Sequence, residues 1–172
     1  MPNVPRKTNP RKNRKRKMEH KKILIQIQTN RTKLSKPLIV QKLSRILSAL
    51  GYDNHELSVV MTDDDQIMEL NQTYRGISKP TNVLSFPMLE GEFSQVSPFL
   101  LGDIVVSVDT ARKEAEEAGI TLDERLSQLM IHGLLHLVGF DHEIGEDEAV
   151  EMEQKSLELL RLIETNPNLN AF

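Results

Sequence analysis

The stretch GDIVVSVDTARKEAEEAGITLDERLSQLMIHGLLHLVGFDH, residues 102–142, decides the fold. Its opening, Gly102 to Val108, carries Ile104, Val105 and Val106 in succession, which predicts a strand covered on both faces. Asp109 then begins a helix that Gly119 ends. TLDE follows, a capping box with Thr121 at the cap and Glu124 three residues on. The helix it opens sets Leu122, Leu126, Leu129, Met130, Gly133 and Leu137 on one broad face and is expected to stop at Gly139.

Working outward, Ile23, Ile25 and Ile27 alternate with Leu24, Gln26 and Gln28, a first strand over 22–28. Ser35 can cap a helix with Pro37 in its first turn, an apolar stripe from Leu38 to Leu50, and Gly51 as its stop. Glu56 to Met61 reads as a second strand. Thr62 and the three aspartates after it start a helix with Ile67, Leu70 and Tyr74 inward, acids lying where the helix dipole favours them. Asn82 to Phe86 is a third strand stopped by Pro87, and 88–100 shows no periodicity, so a loop is expected there. A last helix covers about 146–164, with Ala149, Met152, Leu159, Leu160 and Ile163 inward. The order βαβαββααα, with four strands, indicates one α+β domain.

A chain of 172 residues with 38% hydrophobic side chains can bury one core. Its apolar runs fall far short of the about 18 residues that cross a bilayer, so no membrane helix is expected. The absence of Cys excludes a disulfide scaffold and a thiol nucleophile, and leaves His, Asp and Glu to build any metal site. Charge divides the chain sharply. Residues 1–22 hold ten Lys and Arg against one Glu, whereas residues 23–172 hold 12 basic against 24 acidic side chains. That first segment has three prolines and little to bury, so we expect a disordered basic tail over 1–22, a domain over 23–164 and a C-terminal tail over 165–172. The basic tail is either a solubilising extension or an arm for phosphate backbones. No apolar region follows its charges, so it does not read as a secretory signal.

The chemistry lies in HGLLHLVGFDH. His132 and His136, four apart on a capped helix, project from one face. Gly139 allows the chain to turn back so that His142 arrives as a third ligand. Three neutral imidazoles suit one zinc ion with its fourth position open, the arrangement of catalytic rather than structural sites. The same 4-then-6 spacing occurs in the protease pattern H-E-x-x-H-x-x-G-x-x-H. Here Gly133 replaces the Glu that serves as general base, which makes a metalloprotease the second reading. A third is a factor without catalysis that binds through the basic tail and Arg75 and holds a purely structural zinc. A separate group, LNQTYRGISKPTNVLSFP, sets Arg75 and Lys79 on a turn between helix and strand. Arg75 is either a planar fork for phosphate oxygens or an exposed cation favoured by a helix C-terminus. His20 and His55 have no motif around them and read as surface residues.

HGLLHLVGFDH, together with LNQTYRGISKPTNVLSFP and LGDIVVS, resembles the YbeY family of bacterial rRNA-maturation endoribonucleases, over about residues 23–164. The resemblance implies one α+β domain with helices on a mixed sheet and a zinc-hydrolase-like site, His132, His136 and His142 holding one zinc ion. It places the family's important arginine on Arg75. It further implies metal-dependent cleavage of single-stranded RNA, maturation of the 3′ end of 16S rRNA, ribosome quality control, and work on the small ribosomal subunit in the cytoplasm. On the reading without catalysis, the resemblance would make the chain a ribosome-assembly factor. Ser78 and Asn82 stand where the family often has Asp, and neither is assigned a role.

Overall fold

The computed structural model of the chain describes residues 22–89, 91 and 94–172. Its elements are β1 (Ile23–Ile27), α1 (Lys36–Leu50), β2 (Glu56–Thr62), α2 (Asp64–Arg75), β3 (Val83–Pro87), β4 (Leu100–Ser107), α3 (Val108–Ala118), α4 (Leu122–Leu137) and α5 (Glu146–Ile163). The basic segment 1–22 lies, apart from Lys22, outside the described residues.

The four strands form one sheet in the order β1-β2-β4-β3, with β3 antiparallel to β4 and the other pairs parallel. This is the mixed sheet the resemblance implies. Ile25, Val59 and Ile104 stand abreast across three strands and all are buried. Period-two alternation sends their row, with Leu57, Met61 and Val106, toward one main core, which Leu101 joins at the register shift opposite Glu56 and Leu57. Ile39, Leu43, Ile46 and Leu47 of α1 and Met152, Leu159 and Leu160 of α5 close that core. The opposite face carries a smaller cluster, in which Ile67 of α2 packs on Leu84 and Val105. So α2 lies alone on one face, and the helix that bears the histidines lies on the other.

That helix, α4, is buried on every side from Leu126 to Leu135. The sequence presents an apolar face; the structure encloses the whole helix, because the sheet, α1, α3 and α5 surround it. It begins at the capping box expected, with Thr121 Oγ1 accepting from Glu124 N at 3.2 Å and Glu124 Oε2 accepting from Thr121 N at 2.8 Å. Gly133 touches the sheet. A Cβ there would stand 2.9 Å from Ile104 Cγ2 and 3.0 Å from Ser85 Oγ, and Ser85 Oγ donates to the Gly133 carbonyl at 3.2 Å.

Several boundaries differ from the sequence reading, each for a local reason. Asp63, not Thr62, caps α2, its carboxylate accepting from Gln66 N at 3.0 Å. Ser107 caps α3 by accepting from Thr110 N at 3.2 Å, so the helix starts at Val108, ahead of Asp109. The strand β4 begins at Leu100, within the stretch expected to be loop. Pro87 is the last residue of β3 rather than its stop. Ser107 N donates to Asn82 O and Met88 N to Leu101 O, so even-numbered residues of β3 face β4 and odd-numbered ones face the free edge. The missing N–H of Pro87 therefore falls on the unpaired side and costs the ladder nothing. The far end of α4, by contrast, closes as the sequence indicates: Leu137 is its last residue, and Gly139 just past the cap turns the chain at φ 97°, its N–H donating to the His136 carbonyl at 3.2 Å.

The last residues do not trail away. Leu169 is buried, and Gln128 Nε2 donates to the Asn170 carbonyl at 2.8 Å, so the segment 165–172 runs back along α4. Among the described residues, no helix is long and apolar enough to cross a membrane.

Candidate metal centre

The three histidines that the spacing singled out come together. His132 and His136 project from the last two turns of α4, and Gly139 turns the chain so that His142 faces them. One ligand atom from each lies within 4.8 Å of the others. The two Nε2 atoms on the helix are 3.1 Å apart, and His142 approaches both rings at 5.2 Å between centroids. Burial falls from His132 through His136 to His142, so the cluster opens toward solvent at the last of these.

Burial also sets the protonation of His132 and His136. Desolvation, with the neighbouring His136, His142 and Arg125 adding repulsion, pushes His132 down to about 3. His136 is lowered too, again chiefly by desolvation and then by His142; Asp141, a backbone hydrogen bond to Phe140, and Glu143 pull weakly the other way. Near neutral pH these two rings therefore offer lone pairs, as a metal site needs. Two Nε2 atoms at 3.1 Å are either a single shared hydrogen bond or two donors aimed at one ion. The cluster could hold a metal ion.

Beside the cluster lies a cleft of about 280 Å³, walled by His132, His142, Met152, Glu153, Ser156 and Phe172. The ring of Phe172 stacks on that of His132, with centroids 3.8 Å apart and 26° between planes. Neither Glu153 nor Phe172 carries a sequence signal. Glu153 is one acid among many on an amphipathic helix, and Phe172 reaches the site from forty positions away. Asp141 serves the turn, since its Oδ1 accepts from Glu143 N at 2.8 Å.

The structure does not bring Arg75 into contact with the histidines. It is exposed in the last turn of α2, on the opposite face of the sheet, and has no ion-pair partner among the described residues. The turn after it is fixed by Gly76 at φ 70° and by Asn71 Nδ2, which donates to the Lys79 carbonyl at 2.8 Å. The two helix ends nonetheless point the same way. Tyr74 beside Arg75 packs edge-on against Phe86 at 4.9 Å, while Leu137 of α4 abuts Gly102, the register partner of Pro87. Arg75 and the cluster thus flank one end of the β3–β4 hairpin. His55 is half-buried between Tyr52 and Phe99 rather than at the surface, and takes no part in the cluster; His20 lies outside the described residues.

Position 133 also bears on the protease reading. A side chain there would run into Ile104 and Ser85, so the Glu of the protease pattern could not be placed at this position without moving the sheet contact.

Fold and site together define an α+β enzyme scaffold with a three-histidine site at the end of its central helix. The chain belongs to the endoribonuclease YbeY family, a family of RNA-cleaving enzymes: the family model "Endoribonuclease YbeY" matches residues 16–164. Among its relatives, an endoribonuclease YbeY of Geobacter metallireducens is 46% identical over 83% of this chain and 96% of its own length. That of Aquifex aeolicus is 45% identical over 77% and 85% respectively. The solution structure of a Thermotoga maritima protein superposes with a TM-score of 0.60 at 28% identity, covering 86% of this chain and 99% of its own.

Proposed function

We propose that the chain is a zinc-dependent endoribonuclease that cuts single-stranded RNA, with one ion held by His132, His136 and His142. Its place is the cytoplasm, where it acts on the small ribosomal subunit, maturing the 3′ end of 16S rRNA and serving ribosome quality control. Residues 23–164 are the catalytic unit, and the basic tail 1–22 adds affinity for phosphate backbones without sequence preference.

One observation carries this reading: three imidazoles of a chain in an endoribonuclease family converge within 4.8 Å, two of them kept unprotonated by burial. The donor set fits zinc. A tetrahedral ion with bonds near 2.1 Å holds its ligand atoms about 3.4 Å apart, close to the 3.1 Å between His132 and His136. When bound, such an ion supplies Lewis acidity toward a phosphoryl oxygen or an attacking hydroxyl. The protein's own groups do the rest. Exposed His142 leaves the site open to a strand passing the hairpin end. Arg75 meets that strand from the other face, its guanidinium forking onto two phosphate oxygens and stabilising the charge that grows there.

The test is metal analysis of the purified protein alongside cleavage of an RNA carrying the 16S rRNA 3′ end. Wild type should hold one zinc and cut; His136→Ala should lose both the metal and the cleavage. Full cleavage by a metal-stripped protein would sink the reading.

A further inference from the structure

Residues 164–172 form a strap laid along α4. At its root, Glu164 accepts from Lys42 Nζ and from Ser127 Oγ, both at 2.5 Å, and this ion pair is nearly buried. Asn166 Nδ2 then donates to Glu124 Oε1 at 3.0 Å, Gln128 Nε2 donates to the Asn170 carbonyl, and Leu169 is buried. The strap ends with Phe172 stacked on His132, under the guanidinium of Arg125 at 5.1 Å from its ring centre. Arg125 is itself fixed, by Glu114 at 2.9 Å and by Gln128 Oε1 at 2.8 Å. These partners follow one stripe of the helix, from Arg125 through Gln128 to His132.

Core packing does not account for Phe172, because 47% of it remains exposed. What it does is cover one π face of a single imidazole. A metal bond lies in the plane of that ring, so stacking on the face leaves Nε2 free while resisting rotation of the ring. Past its root at Glu164, the strap also lies beyond residues 16–164, which match the family.

We propose that Phe172 is a positioning residue for the metal site, holding the His132 ring so that its Nε2 stays directed at the point it shares with His136. This rests on the reading of the cluster as a metal site. Partners that orient a ligating histidine typically change metal affinity by about 10–100-fold when removed; a stacking contact on one ligand belongs at the lower end.

The test uses the full chain, with zinc titrated against a chromogenic chelator. Phe172→Ala should bind zinc about tenfold more weakly, Phe172→Tyr should restore wild-type affinity, and Phe172→Leu, which has bulk but no ring, should not. The melting temperature of the metal-free protein should be the same in all four. Wild-type affinity in Phe172→Ala or in Phe172→Leu would overturn the role, as would an affinity loss that merely tracks a fall in melting temperature. If wild type itself takes up no zinc, the metal reading of the cluster fails and this role goes with it.

Discussion

Two helices end beside the same hairpin, and they end differently. At the close of α4, His132 sits in a helix buried on every side. At the close of α2, Arg75 stands in solvent with only Ile67 and Asn71 of its helix buried. Burial strips water from His132 and, less fully, from His136 and disfavours the charged form of both, which suits ligands for a cation. An arginine needs no such help, since it carries its charge at any ordinary pH and gains by keeping its fork free until a phosphate arrives. On the proposed reading, then, the first ligand His132 is set into the core and the site opens outward to exposed His142, whereas the proposed phosphate clamp Arg75 is left wholly on the surface.

The contrast can be broken most severely at Gly133. Introducing Gly133→Glu forces a side chain and a charge into the contact with Ile104 and Ser85; the loss should exceed about 4 kcal/mol, visible as a collapse of the denaturation midpoint. No peptidase activity should appear. A folded, stable Glu variant would show that α4 is not pinned as described.

Next in size is Arg75→Ala, which should slow RNA cleavage by about 10²–10³-fold, roughly 3–4 kcal/mol, with fold and zinc content intact. Arg75→Lys should fall between, keeping charge but losing the second aligned donor. Equal rates for wild type and Arg75→Ala would reduce the arginine to a partner of its helix dipole.

A smaller effect follows from the neutral histidines. His132 has its pKa lowered from 6.5 to about 3 on folding, so below pH 6.5 the unfolded chain binds a proton there that the folded chain refuses. Stability of the metal-free protein should therefore fall as pH drops, by up to about 1.4 kcal/mol per unit, and His136 acts in the same direction. Denaturant midpoints at pH 7, 6 and 5 isolate this, before the lowered carboxylate of Glu124 begins to titrate. Flat midpoints would contradict the burial assigned to the cluster.

The smallest change in chemistry should come from deleting residues 1–20, which removes eight basic side chains. The salt dependence of RNA binding should flatten, while the single-turnover rate at saturating RNA should barely move. An unaltered salt slope would deny the tail its part in binding.

Much of this was legible in the sequence because the signals are local. Ser35, Gly51, Thr121 and Glu124 announce helix ends within four residues of themselves, and the 4-then-6 histidine spacing encodes a shape that one helix and one turn can satisfy alone. The arrangement of α2 and α4 on opposite faces is different in kind. Both helices are amphipathic, and nothing in Ile67 or Leu129 says which side of a sheet will take it. The stacking of Phe172 on His132 is hidden for the same reason: it depends on a strap whose anchors, Lys42 and Ser127, lie 122 and 37 positions from Glu164. Pro87 misled the reading of β3 because a proline's cost in a strand depends on which side its nitrogen faces, and that follows from pairing with β4.

The free margin of β3 bears on how these molecules behave at high concentration. Of the three residues facing outward there, Pro87 has no N–H and Val83 N–H is occupied by its neighbour Asn82 Oδ1 at 2.8 Å, leaving Ser85 alone to donate. A strand from another copy would find one donor where a ladder needs several. The margin is a poor template for stacking one chain on the next, and the enzyme can crowd at this border without polymerising through it.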